Sequence, residues 1–358
     1  WMAGSQYVYS FGKCIFMPSD LTAGIEFNQD KLEDNMWGYH RTVDQKVNIG
    51  SAFLQNEWKN DHWGFLLGGR LDKHNLIDHI IFSPRANLRF NPTQNINLRL
   101  SYSSGFRAPQ AFDEDLHVEN VGGNVAMVEL AKDLKEERSQ SLSASADIYH
   151  RFGAFQINFL VEGFYTKLSD VFALTDGEVK DGILTRTRYN APGARVMGLT
   201  LEGKMAYLNK FQIQAGATLQ QSHYSEPHVW NKVAPAVKKM MRTPNTYGYF
   251  TATYTPIKPL SIALSGTYTG SMLVPHEPVP GFLEKPITVN TKDFFDIGLK
   301  AAYDFKLYKS MNLQVNAGVQ NIFNAYQNDF DKGADRDSGY IYGPSLPRSF
   351  FAGVKISY

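Results

Sequence analysis

The sequence predicts an all-β protein, an antiparallel transmembrane β-barrel, and three observations predict it. Apolar residues recur at every second position in hairpin after hairpin. The bends between these runs alternate between very short and very long. No apolar run reaches the ~18 residues that a membrane helix needs. A period of two marks a strand with two unlike faces. In a barrel only alternate residues meet lipid, so the negative mean hydropathy does not argue against a membrane span.

The clearest strand sets Phe211, Ile213, Ala215, Ala217 and Leu219 against Gln212, Gln214, Gly216, Thr218 and Gln220. The same alternation places Ile96, Leu98, Leu100 and Tyr102 opposite Asn97, Arg99, Ser101 and Ser103. It returns in Leu313, Val315, Ala317 and Val319 against Asn312, Gln314, Asn316, Gly318 and Gln320. Six tight connections separate such runs: Lys59 to Asp61, Asn91 to Asn95, Arg151 to Ala154, Leu208 to Lys210, Pro256 to Pro259 and Leu307 to Met311. They carry Pro, Asn, Gly and Lys, the usual chemistry of turns. Between them lie long irregular stretches: Ala108 to Glu137, Ser169 to Leu184, Ser225 to Thr243, Met272 to Lys292 and Phe323 to Arg348. The connection near Asn75 to Asp78 falls on the long side but is short. Short turns on one rim and long loops on the other are the asymmetry of outer-membrane barrels, whose long loops face outward.

Counting along the chain gives roughly fifteen strands, from near Gln6 to Tyr358. Single-chain bacterial barrels have an even number, so the parity predicts a partial barrel whose first strands precede Trp1. A formal net charge of +1 and the lack of a basic stripe argue against a nucleic-acid partner. The single Cys14 excludes an intramolecular disulfide framework. Aromatics make up 13% of residues, and Tyr102, Tyr149, Tyr207, Tyr254, Tyr268 and Tyr303 sit near strand ends, where rings would lie at the headgroups.

The last strand alternates Phe350, Ala352, Val354, Ile356 and Tyr358 with Phe351, Gly353, Lys355 and Ser357. It resembles the terminal signal by which the bacterial assembly machinery recognises outer-membrane barrels, with Gly353, Ile356 and Tyr358 at the expected places. Phe351 stands where that pattern prefers a polar residue.

Ser104-Gly105-Phe106-Arg107-Ala108-Pro109 resembles a segment common in TonB-dependent outer-membrane receptors, where a strand runs into a long external loop. Asp133 to Ser139 looks like that family's stretch entering the next strand, with Ala131 and Lys132 in place of Asn and Pro and Glu136 in place of Pro. Tyr189-Asn190, Gly198 to Glu202, Val319 to Asn324 and Pro347-Arg348 follow in the family's order. The resemblance implies a barrel of roughly 22 strands with a plug inside, a box that contacts TonB, and active import of a scarce, bulky nutrient. Ferric siderophores, cobalamin, haem and oligosaccharides all travel on this scaffold, and fold alone does not choose among them. It also implies outer-membrane lipid, the assembly machinery and, in some members, a surface lipoprotein as partners. A passive porin or specific channel is the alternative. A rim hydrolase and a soluble β-sandwich fit less well.

Candidate chemistry is confined to the loops. There is no G-x-S-x-G or H-E-x-x-H arrangement, and no enzyme is expected. Arg107, at the external end of a strand, suits a carboxylate or phosphate ligand, but pairing with a lumen carboxylate or a loop backbone is the favoured reading. Asp113, Glu114 and His117 lie in the loop that follows. The resemblance implies that a histidine here could take haem iron as an axial ligand, although His117 in a polar loop needs no metal to explain it. No resident cofactor is expected. Asp329, Asp331 and Asp335 have oxygen spacings usable by Ca²⁺, but Lys332 and Arg336 balance part of that charge in what also reads as a solvated loop. Met240 and Met241 could bind a soft metal weakly.

Overall fold

The computed structural model describes the chain except for residues 38–40, 110–124, 176–177, 181–182, 309, 334–335, 338 and 345. In chain order the strands are β1 (Met2–Cys14), β2 (Met17–Met36), β3 (Arg41–Lys59), β4 (Trp63–His74), β5 (Ile81–Thr93), β6 (Ile96–Arg107), β7 (Val125–Leu130) and β8 (Glu137–Phe152). There follow β9 (Phe155–Ser169), β10 (Val171–Leu174), β11 (Glu178–Lys180), β12 (Ile183–Ala191), β13 (Ala194–Tyr207), β14 (Phe211–His228) and β15 (Val237–Lys239). The chain closes with β16 (Thr246–Ile257), β17 (Leu260–Thr269), β18 (Leu273–His276), β19 (Ile287–Asn290), β20 (Phe294–Lys306), β21 (Asn312–Gln320) and β22 (Ser349–Ser357).

One 16-stranded antiparallel sheet dominates. Its continuous path runs β1-β2-β3-β4-β5-β6-β8-β9-β13-β14-β16-β17-β20-β21-β22, with β15 flanking β14. The path has fifteen strands, as the alternation predicted. All six short connections fall between paired neighbours on one rim. A seventh, Ile15-Phe16 between β1 and β2, escaped the sequence reading because it has no Gly, Pro or Asn. Instead Ile15 itself takes a positive φ of 63°.

Register decides which side chains share a face. Ile213 lies opposite Met205, and Leu219 opposite Leu199. Gln214 lies opposite Lys204, and Thr218 opposite Thr200. The apolar series therefore continues across strands on one side of the sheet, and the polar series on the other. Leu54, Leu67, Leu142 and Leu219 lie open on the apolar side. The total accessible surface is 22095 Å², against about 14,500 Å² for a compact soluble monomer of this mass. A β-sandwich would pack its apolar faces together, and this single layer leaves its own uncovered, as lipid contact requires.

Rings collect on the apolar side near the short-turn rim. Phe155 packs 4.6 Å from Tyr207, Trp63 4.2 Å from Phe90 and Tyr303 4.6 Å from Phe305. Tyr149 differs from the other rim tyrosines. It pairs with Asn158 on the polar face and donates to Asp147 at 2.9 Å, so it belongs to the inner wall.

Phe351 also has a physical reason. It pairs directly with Gly318, and a Cβ on Gly318 would lie 2.5 Å from its ring. The ring occupies the space a side chain would fill, which makes an aromatic tolerable on a polar face. On the same strand Gly353 pairs with Asn316 and Ile356 with Leu313, while Tyr358 is almost fully exposed.

The long-loop rim is more structured than its sequence suggested. The stretch from Ser169 contains β10, β11 and the start of β12, and β12 pairs in parallel with β7 from the preceding long loop. The stretch from Met272 contains the β18–β19 hairpin. Short strand pairs inside loops escape a period analysis that needs four or more alternations.

Candidate functional site

A cavity of about 340 Å³ opens at the long-loop rim, lined by residues from six separate segments between Arg107 and Glu277. Arg107, at the end of β6, reaches it beside Glu137, 3.5 Å away. Its guanidinium lies over the Phe172 ring at 4.9 Å, and that of Arg188 over the same ring at 5.6 Å. Such stacking holds guanidinium planes in place. Arg186 lines the same cavity. Period two puts Arg186 and Arg188 on one face of β12.

Local folding explains why Phe172 is there. Asp170 adopts φ of 55° at the end of β9, turning the chain so that β10 can pair back on β12. The Phe172 amide then donates to Glu137 Oε2 at 2.9 Å, the same carboxylate oxygen that faces Arg107. Asn190 joins the segments: its Nδ2 donates to the Asp170 carbonyl at 2.8 Å and the Lys135 carbonyl at 3.1 Å, and its Oδ1 accepts from the Lys135 amide at 2.8 Å. At Gly193 the strands approach so closely that a Cβ would sit 2.0 Å from the Leu168 carbonyl oxygen.

Aromatic groups complete the lining. Tyr224 and His228, on the upper part of β14, hold their rings 4.7 Å apart, and Trp230 follows. Glu277 faces in from the segment after β18. Asn231 Nδ2 donates to its carboxylate at 3.1 Å, and its own amide donates to Asp337 Oδ2 at 2.9 Å.

Behind Glu277 lies a compact cluster between two loops. Met272, Val274 and Tyr340 are buried, with Val289 and Tyr342 packed on them. His276 stacks on Tyr340 with ring centroids 3.8 Å apart and pairs with Asp331 at 2.9 Å. Arg242 donates to the Gly339 carbonyl and, at 2.8 Å, to that of Ile341. Asp329 accepts from the Tyr342 hydroxyl at 2.6 Å and the Tyr340 hydroxyl at 3.2 Å. Burial acts to raise the Asp329 carboxyl, but these bonds outweigh it and hold it below the usual carboxylate range. Burial first, then the Asp329 charge, pushes Tyr340 up to about 12 and Tyr342 further in the same direction.

Of the residues singled out from sequence, Arg107 and Met240 line the cavity. Asp113, Glu114, His117 and Asp335 lie outside the described residues. The carboxylates of Asp329 and Asp331 are engaged by tyrosine hydroxyls and by His276, and among the described residues no group of three potential ligands is placed to hold a metal ion. Glu136, at a place where the resembling family carries Pro, accepts from Arg138 at 2.7 Å and contacts His79 at 3.0 Å. That exchange ties the loop before β8 to the short loop after β4. Phe172, Arg186, Arg188, Tyr224, His228 and Trp230 were not anticipated. The one signal in the sequence was the Arg-Thr-Arg spacing at 186–188.

The chain matches the family described as TonB dependent receptor-like, beta-barrel, over residues 3–322. It belongs to that family. Accordingly it is the β-barrel part of a TonB-dependent receptor, placed in the outer membrane of Gram-negative bacteria with its long loops external. No curated protein matches its sequence. Among solved structures it is similar to the siderophore receptor PirA of Acinetobacter baumannii, with 16% identity and a TM-score of 0.70, covering 99% of this chain and 54% of that one. A point mutant of the ferric enterobactin receptor PfeA of Pseudomonas aeruginosa, in complex with enterobactin, gives 18% identity and a TM-score of 0.71 over 99% and 54%. The ferric-catecholate import receptor Fiu of E. coli K12 gives 15% and 0.68, over 99% and 54%. The chain thus spans about half the length of the solved structures it resembles.

Proposed function

We propose that this chain forms barrel wall and external loops of a TonB-dependent active transporter that imports a ferric siderophore. The single observation that carries the reading is family membership joined to a cavity at the external rim, lined by Arg107, Arg186 and Arg188. The solved structures with the same fold are named as siderophore, ferric enterobactin and ferric-catecholate receptors, which supports this class over cobalamin, haem or oligosaccharide. In this reading the ligand is captured outside, and a plug preceding the barrel strands is pulled by TonB at the expense of the inner-membrane proton gradient. The inner wall is suited to passage past it. Glu202 pairs with Lys204 at 2.8 Å and accepts from Tyr249 at 2.5 Å, a neutralised, hydrated surface rather than an apolar one. The barrel assembly machinery would receive the last strand, and a surface lipoprotein could cover the loops.

Uptake of radiolabelled ferric siderophore by cells carrying the whole gene tests this reading. Accumulation should vanish when TonB is deleted or the proton gradient is collapsed. Uptake that persists in both conditions, in proportion to external concentration, would point to the porin alternative.

A further inference from the structure

The lipid-facing side of β8, β9, β13 and β14 changes character in three steps toward the long-loop rim. Pairing is unbroken across these strands, so each step is a row of directly opposite residues. The lowest row is Leu100, Ala144, Gly163, Leu199 and Leu219. Its centre lacks side chains, and a Cβ on Gly163 would meet nothing within 4 Å. Leu142, Tyr165 and Met197 of the next row overhang it, leaving a shallow apolar groove of about 830 Å³. The third row is Gln140, Lys167, Arg195 and His223, and Lys239 of β15 continues it opposite His223.

Strand geometry sets the depth of that third row. From Phe155 at the short turn to Tyr165, β9 advances about ten residues, roughly 33 Å along the strand. At a tilt of ~40° this spans about 25 Å, the height of the apolar band of an outer-membrane barrel. Lys167 and Arg195 therefore stand at the outer edge of the hydrocarbon, level with the headgroups. Both are exposed, and they face each other directly on strands only ~4.8 Å apart, an arrangement that repels. Among the described residues neither of them, nor Lys239, makes an ion pair. Other cations of the outer wall differ: Arg138 is met by Glu136 at 2.6 Å, and Lys31, opposite Lys46, reaches Glu33 at 3.2 Å. An anion held at the Lys167–Arg195 row from outside the chain would relieve the repulsion. Guanidinium forks and ammonium points are both phosphate partners, and the groove directly beneath has the character of an acyl chain.

We infer that this patch of outer wall binds an anionic, phosphorylated lipid of the outer leaflet, with its phosphates on Lys167, Arg195 and Lys239 and an acyl chain in the groove over Ala144 and Gly163. His223, between two of the cations, adds a ring nitrogen to the same row. The site lies on the lipid side of the wall, away from the lumen and the external cavity, so it does not depend on which nutrient is carried. A zwitterionic lipid fits the groove but cancels the charge the row calls for, and a free phosphate meets the row but leaves the groove empty.

The test is native mass spectrometry of the full-length receptor, stripped of lipid in detergent and titrated with diphosphoryl lipid A or phosphatidylethanolamine, with inorganic pyrophosphate as a competitor. Diphosphoryl lipid A should bind at least about tenfold more tightly than phosphatidylethanolamine, the scale of one charge-assisted hydrogen bond, and equimolar pyrophosphate should not displace it. The double variant Lys167→Gln/Arg195→Gln should weaken lipid A binding about tenfold or more. Lys239→Gln, on a three-residue strand outside the continuous wall, tests the row without touching the barrel ladder and should weaken it in the same direction. Gly163→Leu fills the groove while keeping every charge, and should also weaken binding. Lys31→Gln/Lys46→Gln makes the same charge change elsewhere on the outer wall and should leave it unchanged. Heat-shifted gel mobility checks that each variant retains its barrel. Equal affinity for the zwitterionic lipid, native affinity in the Lys167/Arg195 and Lys239 variants, or an equal loss in the Lys31/Lys46 control overturns the inference. Displacement by pyrophosphate, or native affinity in Gly163→Leu, overturns it as well, because it would leave an anion site with no acyl groove.

Discussion

Asn321, immediately after β21, should be the strongest single staple of the external loop that follows. It is buried, with 3% exposure. Its Nδ2 donates to the carbonyls of Ala325 and Leu346, both at 3.0 Å, and its Oδ1 accepts from the Ala325 amide at 2.8 Å. It also sits at φ of 50°, where Asn is tolerated and Ala is not. Asn321→Gly removes three hydrogen bonds without adding strain. At about 0.5–1.5 kcal/mol each, the cost is roughly 2–4 kcal/mol. Asn321→Ala adds about 1–2 kcal/mol for the left-handed backbone. Hydrogen-exchange mass spectrometry of peptides within 321–348 measures this as local opening. The Gly variant should exchange roughly 30- to 1,000-fold faster than the native loop, since each 1.4 kcal/mol is a factor of ten, and the Ala variant faster again. Exchange within threefold of native in both variants would refute the staple. Equal rates for Gly and Ala would refute the strain argument while leaving the hydrogen bonds.

Three further outcomes are expected. Ala144→Arg and Ser143→Arg are adjacent near the middle of β8 but face lipid and lumen respectively. The first should lower stability of the bilayer-inserted barrel by about 2–4 kcal/mol and the second by under about 1 kcal/mol, and comparable losses in urea titrations would refute the assigned faces. The loop cluster should weaken at both extremes of pH. Asp329 is held low, so its contribution is present above the ordinary carboxylate value and disappears as pH falls through the depressed one. Tyr340 is held high, so its contribution is complete below the phenol value near ~10 and disappears as pH rises through about 12. Tyrosinate absorbance of the native protein minus that of Tyr340→Phe reads this directly, and a difference that titrates at the free phenol value of ~10 would refute it. Deleting Tyr358 should reduce the folded barrel recovered from outer membranes. A variant that assembles as well as native would show that Gly353, Ile356 and Tyr358 do not form a working signal.

The strands were legible because lipid on one side and water on the other impose a period of two that any single strand displays. Phe211 to Gln220 can be read without its neighbours, and its register against β13 only extends the same pattern. Tyr149 shows the limit: its place near a strand end was visible, but its face depended on the pairing of β8 with β9. The cavity was legible only at Arg107, where a recognisable segment leaves the wall. Phe172 joins that arginine because Asp170 turns the chain and Asn190 ties it down, and both act through contacts between segments distant in sequence. The acidic run from Asp329 suggested a cation site from spacing alone. The structure gives its first two carboxylates other partners, Tyr340, Tyr342 and His276, contributed in part by another loop.

The parallel pairing of β7 with β12 joins two hairpin loops into one small sheet, and the Met272–Val274–Tyr340 cluster joins two others. The outer surface is therefore a set of composite epitopes rather than independent loops. An antibody raised against a linear peptide from 323–348 should recognise the receptor in cells poorly, because the shape that peptide takes depends on 272–292. Grafting one loop onto another barrel should fail where grafting the pair succeeds.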